Sequence, residues 1–292
     1  MTSHVLTGTD GSARSEAAAL WAAEEAVRRG VGLRILHAWP WLSADYAEGS
    51  VAGDLRPAAL AALAGTAERI RHAHPGLSVE TAVVGNDPVD ALVAEAEGAE
   101  LLVLGSRGLG GFAGLLVGSV GLAVAARVAT PLVMVRADAN DTPQADAPDR
   151  RDVVVGVDAR HPADAVLDFA FAEAARRRVR LRAVHGWDVI PAWSAAGWVP
   201  PQVDATTQEA SEQAALDEAL AQARAAHPDV EVVATTRLGG AANAVVTAAA
   251  DACLVVVGRR DPRHHPLGRW LGPVAHAALH HAAAPVAVVP HG

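Results

Sequence analysis

The sequence contains no lysine, and all 24 of its basic residues are arginine. This absence excludes enzymes that form a Schiff base on lysine, protein kinases, and nucleotide-binding proteins that use the lysine of a Walker A motif. Any phosphate that this chain binds must be held by backbone N–H groups, hydroxyl groups or arginine side chains.

Cysteine, basic tracts and long apolar runs are scarce as well. Cys253 is the only cysteine, so no internal disulfide can form, and its apolar neighbours predict a buried, unreactive thiol. The formal net charge of −9 disfavours nucleic acid and anionic membranes as partners. No apolar run is long enough to span a bilayer, and the first residues lack the pattern of a signal peptide. We therefore expect a cytoplasmic protein.

What the chain does contain is an internal repeat. His4–Trp39 aligns without a gap to Asp152–Trp187, and His74–Gly105 aligns without a gap to His227–Gly258. Such self-similarity predicts two copies of one domain, which we place at residues 1–137 and 151–292. The segment between them, "ADANDTPQADAPDRR", is polar and contains proline, as is typical of a linker.

Each copy alternates short apolar strands with alanine-rich helices. In the first copy the strands are predicted at Val5–Thr9, Leu33–Ala38, Val79–Val84, Leu101–Gly105 and Leu132–Arg136. The helices are predicted at Ser12–Arg29, near Pro57–His74, and at Pro88–Glu97 and Gly118–Val128. Such alternation builds a parallel sheet with helices on both faces. The predicted fold class is therefore α/β, with two tandem domains that each contain a parallel sheet.

Three features of the first copy meet at the carboxyl edge of this sheet, where open α/β sheets bind their ligands. Strand one ends in "GTDGS", strand two ends at Ala38, and strand four opens into a glycine-rich loop at Gly105. Gly118-Ser119 then begins a helix, whose free N–H groups favour an anion. A phosphate site is one interpretation of this pattern. A tight turn and a helix cap without any ligand is the other.

The spacing Gly105-x2-Gly108-x9-Gly118-Ser119 resembles the nucleotide-binding signature of the universal stress protein family. The segments "TGTDGS", "LHAW" and "TPLVMV" are similar to that family too, and the resemblance covers nearly the whole chain as two tandem domains. It implies two tandem doubly wound, Rossmann-like domains of the adenine nucleotide alpha hydrolase type, each a five-stranded parallel sheet with helices on both faces. It also implies an ATP site, with or without Mg²⁺. The implied cofactor-binding residues are Gly8, Thr9, Asp10, Ala38, Gly105, Ser106, Arg107, Gly108, Gly118, Ser119 and Val120.

The second copy departs from this signature. Asp261 replaces the second glycine, where a carboxylate would repel phosphate, and Pro273 replaces the serine and has no N–H to donate. Four arginines add positive charge nearby, namely Arg259, Arg260, Arg263 and Arg269. Four residues keep matching positions and stay candidates for cofactor binding: Gly156, Asp158, Gly258 and Gly272. The second copy is either a site for a different anion or a pseudo-site, and we favour the pseudo-site.

Metal and catalytic sites are not predicted. His276 and His280 have the helical spacing of a metal pair, but no acidic or cysteine ligand lies beside them in sequence. Asp10 lacks a neighbouring nucleophile and base, and His37 is expected to be buried and hydrogen-bonded. Aromatic residues follow strand two in both copies, and they either cap the sheet edge, stack on adenine or meet a partner: Trp39, Trp41, Tyr46, Trp187, Trp193 and Trp198.

The sequence and the resemblance together predict a cytoplasmic ATP-binding regulatory protein of the stress response, with the first copy as the better site. A slow ATPase at the same site and an interaction scaffold without nucleotide are the alternatives. The last strands of the two copies are short and apolar, and we expect Leu132–Arg136 to pair with Pro285–Val289 within the chain. A homodimer of this unit and a protein partner of unknown identity are further expectations.

Overall fold

A computed structural model describes residues 3–39, 51–106, 108, 117–136, 152–188, 205–260 and 271–292. The chain forms two compact units, each built mainly from one repeat, and Pro285–Pro290 from the end of the chain belongs to the first unit. Within the described ranges, none of the helices combines the length and the hydropathy that crossing a bilayer requires.

The first repeat contains five strands and four helices in the described residues. The strands are β1 (His4–Gly8), β2 (Gly32–Ala38), β3 (Val79–Val84), β4 (Leu101–Gly105) and β5 (Leu132–Val135). The helices are α1 (Ala13–Arg29), α2 (Val51–Ala73), α3 (Pro88–Ala96) and α4 (Ser119–Ala125). The predicted elements are thus present. The start of α2 differs most, because this helix begins at Val51 and contains Pro57 rather than beginning beside it.

The strands of the first unit follow the order β3-β2-β1-β4-β5, and all of these neighbours pair in parallel. The chain leaves β1 towards β2 on one side and returns to β4 on the other. The carboxyl ends of β1 and β4 therefore flank the point where the winding direction reverses, which is the usual ligand position in such sheets.

The last strand of the chain, β10 (Val286–His291), pairs with β5 in antiparallel register. Val286 lies opposite Met134 and Val288 lies opposite Leu132. The pairing predicted for these two apolar strands is confirmed. It covers the hydrogen-bonding edge that β5 would otherwise present to solvent.

The second unit contains four parallel strands in the order β9-β6-β7-β8. They are β6 (Asp152–Gly156), β7 (Leu181–Trp187), β8 (Val232–Leu238) and β9 (Ala252–Arg260). Its helices are α5 (Asp164–Arg177), α6 (Ala205–Ala226), α7 (Ala241–Ala248) and α8 (Pro273–His281). The predicted α/β class with a parallel sheet is confirmed, and β10 is the antiparallel exception.

Alanine and β-branched residues explain how the layers pack. Strands such as β4 and β6 are buried along nearly their whole length because helices cover both faces of the sheet. α1 turns a face of small side chains to the sheet, which lets its backbone approach closely: Ala18, Ala19, Ala22, Ala23 and Ala26 are fully buried. This packing fixes the strand ends on which the candidate site is built.

Candidate functional site at the carboxyl edge of the first sheet

The loop between β1 and α1 is held in place by its own polar groups. The Ser12 N–H donates to Asp10 Oδ1 at 3.0 Å, and the Gly11 N–H donates to Thr9 Oγ1 at 3.2 Å. Gly11 has a φ of +82°, a conformation that favours glycine. Ser12 then caps α1 by accepting a hydrogen bond from the Ser15 N–H. Asp10 is thereby fixed at the rim of the sheet, half-buried.

Gly108 lies directly against the carboxylate of Asp10. A β-carbon added at Gly108 would fall well inside contact distance of Asp10 Oδ2. A side chain at this position would therefore displace the carboxylate or the loop. The glycine loop after β4 and the aspartate after β1, predicted separately from the sequence, meet here at the point where the strand order reverses.

The two ends of the glycine loop are tied together through Ser106. Its N–H donates to the Val135 carbonyl at 2.8 Å, and its own carbonyl accepts from the Gly118 N–H at 2.7 Å. Ser106 is buried, so its N–H serves the loop and is not available to a phosphate. Gly118 is the N-cap of α4 and has no side-chain cap, while Ser119 and Val120 are exposed. Arg107 lies outside the described residues.

Gly8 and Thr9, both predicted as site residues, make their contacts inside the protein. A β-carbon at Gly8 would lie 2.8 Å from Leu92 Cδ2 and 2.9 Å from Leu104 Cδ2, so only glycine lets α3 and β4 pack at this point. Thr9 donates its N–H to the Leu36 carbonyl, and its hydroxyl lies 3.0 Å from Ser15 Oγ. These two residues hold the end of β1. Ala38 and Gly105 stay half-buried at the ends of β2 and β4.

The surroundings of His37 were predicted only in part from the sequence. Its ring is 9% exposed, and Nδ1 lies 2.7 Å from the Thr9 carbonyl oxygen. The ring centroid lies 5.5 Å from that of Trp39. The opposite nitrogen, Nε2, is buried and has no hydrogen-bond partner in the described part of the chain. Burial and one hydrogen bond were predicted, but the unpaired nitrogen was not.

The equivalent histidine of the second repeat, His185, has both ring nitrogens engaged. Nδ1 lies 2.9 Å from the Val157 carbonyl oxygen, and Nε2 lies 3.3 Å from Glu212 Oε2. Glu212 comes from α6 and also forms an ion pair with Arg160, which occupies the position of Ser12 in the aligned repeat. We call these three residues the Arg160–Glu212–His185 cluster.

Glu212 is 3% exposed and titrates below its ordinary range. Burial alone would raise the pKa of this carboxyl. Hydrogen bonds from Arg160 and Gln208, the charge of Arg160, and the hydrogen bond with His185 together outweigh burial and lower the pKa. The carboxylate is therefore ionised at neutral pH, and it joins the exposed Arg160 to the buried His185.

Other positions of this second edge are also covered by protein atoms. A β-carbon at Gly186, which aligns with Ala38, would lie 2.5 Å from Ala241 Cα. One at Gly258, which aligns with Gly105, would lie 2.9 Å from His291 Nε2. Gly156 packs as Gly8 does, since a β-carbon there would lie 2.7 Å from Val245 Cγ2 on the equivalent helix. Asp158 Oδ1 accepts a hydrogen bond from the Arg160 N–H. A β-carbon at Gly272 would meet no atom of the described residues within 4 Å. Asp261, Arg263 and Arg269 fall outside the described residues.

The remaining candidates add no assembled site. His276 and His280 stack on α8 with ring centroids 4.4 Å apart. In the described ranges, no group of three or more His, Cys, Asp or Glu side chains is placed to hold a metal ion. Trp187 is buried, as expected of an aromatic cap. Trp41, Tyr46, Trp193 and Trp198 are not among the described residues.

Comparison with known proteins agrees with this architecture. The profile of the universal stress protein family matches residues 1–136 and 149–290. The chain belongs to the universal stress protein family. A universal stress protein of Mycobacterium tuberculosis is 33% identical over 291 residues, which cover 97% of this chain and 96% of that protein.

Solved universal stress proteins share the fold. A crystal structure from Archaeoglobus fulgidus covers 99% of this chain and 98% of its own, with a TM-score of 0.68 and 18% identity. Another universal stress protein, solved in complex with cAMP, is 35% identical, covers 46% of this chain and 97% of its own, and has a TM-score of 0.37.

Proposed function

We propose that this universal stress protein is an ATP-binding regulatory protein that binds one ATP, with or without Mg²⁺, at the carboxyl edge of its first unit. The observation that carries the proposal is the meeting of Asp10 and the bare backbone of Gly108 at the reversal of strand order. Membership of the family and the spacing of its nucleotide signature support the same site.

The charges at this edge set the orientation of the nucleotide. The carboxylate of Asp10 repels phosphate and accepts hydrogen bonds, so it suits the nucleoside half. The glycine loop and the exposed hydroxyl of Ser119 lie on the β4 side and carry no acidic side chain among the described residues of that loop. We therefore place the phosphates near Gly118 and Ser119. The nucleoside lies beside Asp10 and Gly108, with the base towards the end of β2.

The second unit supports a stoichiometry of one nucleotide per chain. Its aligned positions are closed by its own atoms, through the Arg160–Glu212–His185 cluster, the backbone of Ala241 and the ring of His291. A ligand that enters the second unit must first displace an ionised, buried carboxylate, which is energetically unfavourable. Binding to the first unit requires no such displacement.

Titration calorimetry with ATP tests the site. Gly108→Ala forces a methyl group against Asp10, and we expect it to weaken ATP binding by at least about tenfold, the factor that corresponds to about 1.4 kcal/mol. Gly76→Ala is the matched control, because a β-carbon there meets no atom within 4 Å in the described part of the chain, and it should leave affinity unchanged. Wild-type protein that binds no ATP, binds two per chain, or binds equally well after Gly108→Ala contradicts the proposal.

A binding role is proposed in preference to an enzymatic one. The support is that the Asp10 carboxylate accepts a hydrogen bond from the Ser12 N–H, which fixes it as part of the loop between β1 and α1. We expect no ATP turnover beyond a slow background. Hydrolysis that disappears in Asp10→Asn while ATP still binds would instead establish the slow ATPase.

A further inference from the structure

The strand β8 lies at the outer end of the second sheet, and among the described residues no strand pairs with its outer edge. The hydrogen bonds to β7 show which backbone groups face outwards. The Glu231 carbonyl accepts from the Leu181 N–H, and the Gly239 N–H donates to the Trp187 carbonyl. Odd-numbered residues therefore direct their backbone groups towards β7, and the even-numbered residues of Val232–Leu238 direct theirs away from it. These outward groups are the ones that a further strand would bind.

The equivalent edge strand of the first repeat carries its charge in a different place. In β3 the exposed side chain of Glu80 lies within the strand, and a charged residue there hinders pairing with another chain. The aligned residue of β8 is Val233. The second repeat has its charges at the two ends instead, with Glu231 before β8 and Arg237 near its last residue. The segment between these two contains only uncharged residues.

The charges at the two ends of β8 have opposite signs and are equally far from Ala234. Glu231 precedes Ala234 by three residues, and Arg237 follows it by three. When two β8 strands pair in antiparallel fashion about Ala234, Glu231 of each copy lies opposite Arg237 of the other. The ladder permits this register, because Ala234 directs its backbone outwards and meets its equivalent as a hydrogen-bonded pair. Glu231 and Arg237 then form non-hydrogen-bonded pairs, in which facing side chains approach most closely.

Within one chain the side chains at the ends of β8 are only weakly engaged. Glu231 is 69% exposed, and its ion pair with Arg180 has a distance of 4.0 Å. Arg237 is exposed and forms no ion pair with any described residue. Leu238 beside it is 59% exposed, more than any other large apolar side chain in the described ranges. The same register brings Leu238 of each copy towards the half-buried Val230 of the other, which would shield this apolar surface from water.

We infer that β8 is an interface between two copies of this chain, which pair in antiparallel register about Ala234 and extend the second sheet across both. The inference does not depend on the proposed nucleotide site. A single pair of strands buries less than the roughly 1,600 Å² of a standard protein–protein interface, so the dimer dissociates on dilution. Salt screens exposed ion pairs, so dissociation also increases with ionic strength.

Analytical ultracentrifugation of the full chain over a series of concentrations tests this interface. Wild type should show a monomer–dimer equilibrium. Arg237→Glu places like charges opposite each other twice per dimer, and we expect it to raise the dissociation constant at least about tenfold. Glu231→Arg should have the same effect, and the two substitutions together should restore the affinity of wild type because they exchange the charges. Glu80→Arg in β3 is the matched control and should leave association unchanged.

The outcomes separate the interface from its register. Wild type that stays monomeric at every concentration overturns the inference, and so does a dimer that Arg237→Glu leaves intact or that Glu80→Arg abolishes. A double variant that associates no better than either single variant contradicts the pairing of Glu231 with Arg237.

A cysteine placed at the centre of the register gives a second measurement. Two copies of Ala234→Cys meet across the interface with Cα atoms about 5.5 Å apart, within the range of a disulfide. Oxidation should therefore convert Ala234→Cys into a covalent dimer. Thr81→Cys, at the aligned and exposed position of β3, is the control and should stay uncrosslinked, since the native Cys253 is buried. Failure of Ala234→Cys to crosslink, or equal crosslinking of Thr81→Cys, contradicts the inference.

Discussion

At the scale of the residue, the second repeat contains a charged cluster that connects three of its elements. Glu212 ties together α6, the loop after β6 and the end of β7 through Arg160 and His185. The equivalent elements of the first repeat have no such tie among the described residues. We interpret the cluster as an internal support for the carboxyl edge of the second sheet.

The titration of Glu212 gives this interpretation a pH dependence. Its pKa is lower in the folded protein than the value of about 4.3 in an unfolded chain. The stabilisation is therefore fully present above about pH 4.3 and is lost as the pH falls through the lower, folded pKa. We expect Glu212→Gln to destabilise the protein by about 2 kcal/mol at pH 7, because Arg160 and His185 lose their ionised acceptor.

Urea unfolding at a series of pH values measures this difference. The gap between wild type and Glu212→Gln should shrink as the medium becomes more acidic than about pH 4. Glu218→Gln, exposed on the same helix, is the control and should leave stability nearly unchanged at every pH. A constant gap between wild type and Glu212→Gln would show that the cluster acts by packing and not by charge.

At the scale of the element, the equivalent helices α1 and α5 end at residues of different types. α1 ends at Gly30 with φ +69°, and α5 ends at the aligned Arg178 with φ +54°. A left-handed conformation costs a side-chain-bearing residue about 1 kcal/mol more than glycine. We expect Gly30→Ala to lower the free energy of unfolding by about 1 kcal/mol and Arg178→Gly to raise it by up to about the same amount.

Denaturant unfolding of these two variants tests the pair. Among the described residues, a β-carbon at Gly30 meets no atom within 4 Å, so a loss in Gly30→Ala reports the backbone conformation and not a clash. If Arg178→Gly is also destabilising, the side chain of Arg178 makes contacts that outweigh the strain of its backbone.

The elements were the part of this protein that its sequence predicted well. Apolar runs such as "LLVLG" and glycine at helix ends mark strands and helix stops through local chemistry, and these bounds agree closely with the structure. The predicted start of α2 was wrong, because the helix begins at Val51. Pro57 removes one backbone donor, but this does not determine the residue at which the helix begins. Spacing likewise predicted that Asp10 and the glycine loop share an edge, but their direct contact depends on three-dimensional packing.

The unpaired nitrogen of His37 could not have been predicted in this way. It depends on which side chain α2 places opposite the ring, and Ala59 carries no signal of its own. The difference becomes visible only when the repeats are compared, because Glu212 and Arg160 have no charged counterparts at the aligned positions. Paired substitutions between internal repeats are therefore a more useful signal than either sequence alone.

At the scale of the whole molecule, the first unit includes a strand from the far end of the chain. Val288 in β10 is 1% exposed and lies opposite Leu132 of β5. We expect Val288→Asp to destabilise the first unit by more than about 3 kcal/mol, because a carboxylate would be buried against apolar neighbours. Val27→Asp, on an exposed position of α1, is the control and should cost well under about 1 kcal/mol.

Hydrogen exchange reports which unit is affected. In Val288→Asp the amides of β5 should lose protection, although β5 is distant from residue 288 in sequence. Normal protection of β5, with effects confined to the second repeat, would contradict the assignment of β10 to the first unit. Homodimer formation stays a separate prediction, to be decided by the solution mass of the protein.

The pairing of β10 with β5 also has a consequence for synthesis. A ribosome releases β5 long before β10, because the entire second repeat lies between them. The edge of β5 therefore stays uncovered in the nascent first unit until β10 has been synthesised. An uncovered apolar strand can pair with strands of other chains. Translation that stops early would leave a polypeptide with a largely complete first repeat and a permanently open sheet edge. Completion of the first unit is thus coupled to completion of the whole chain.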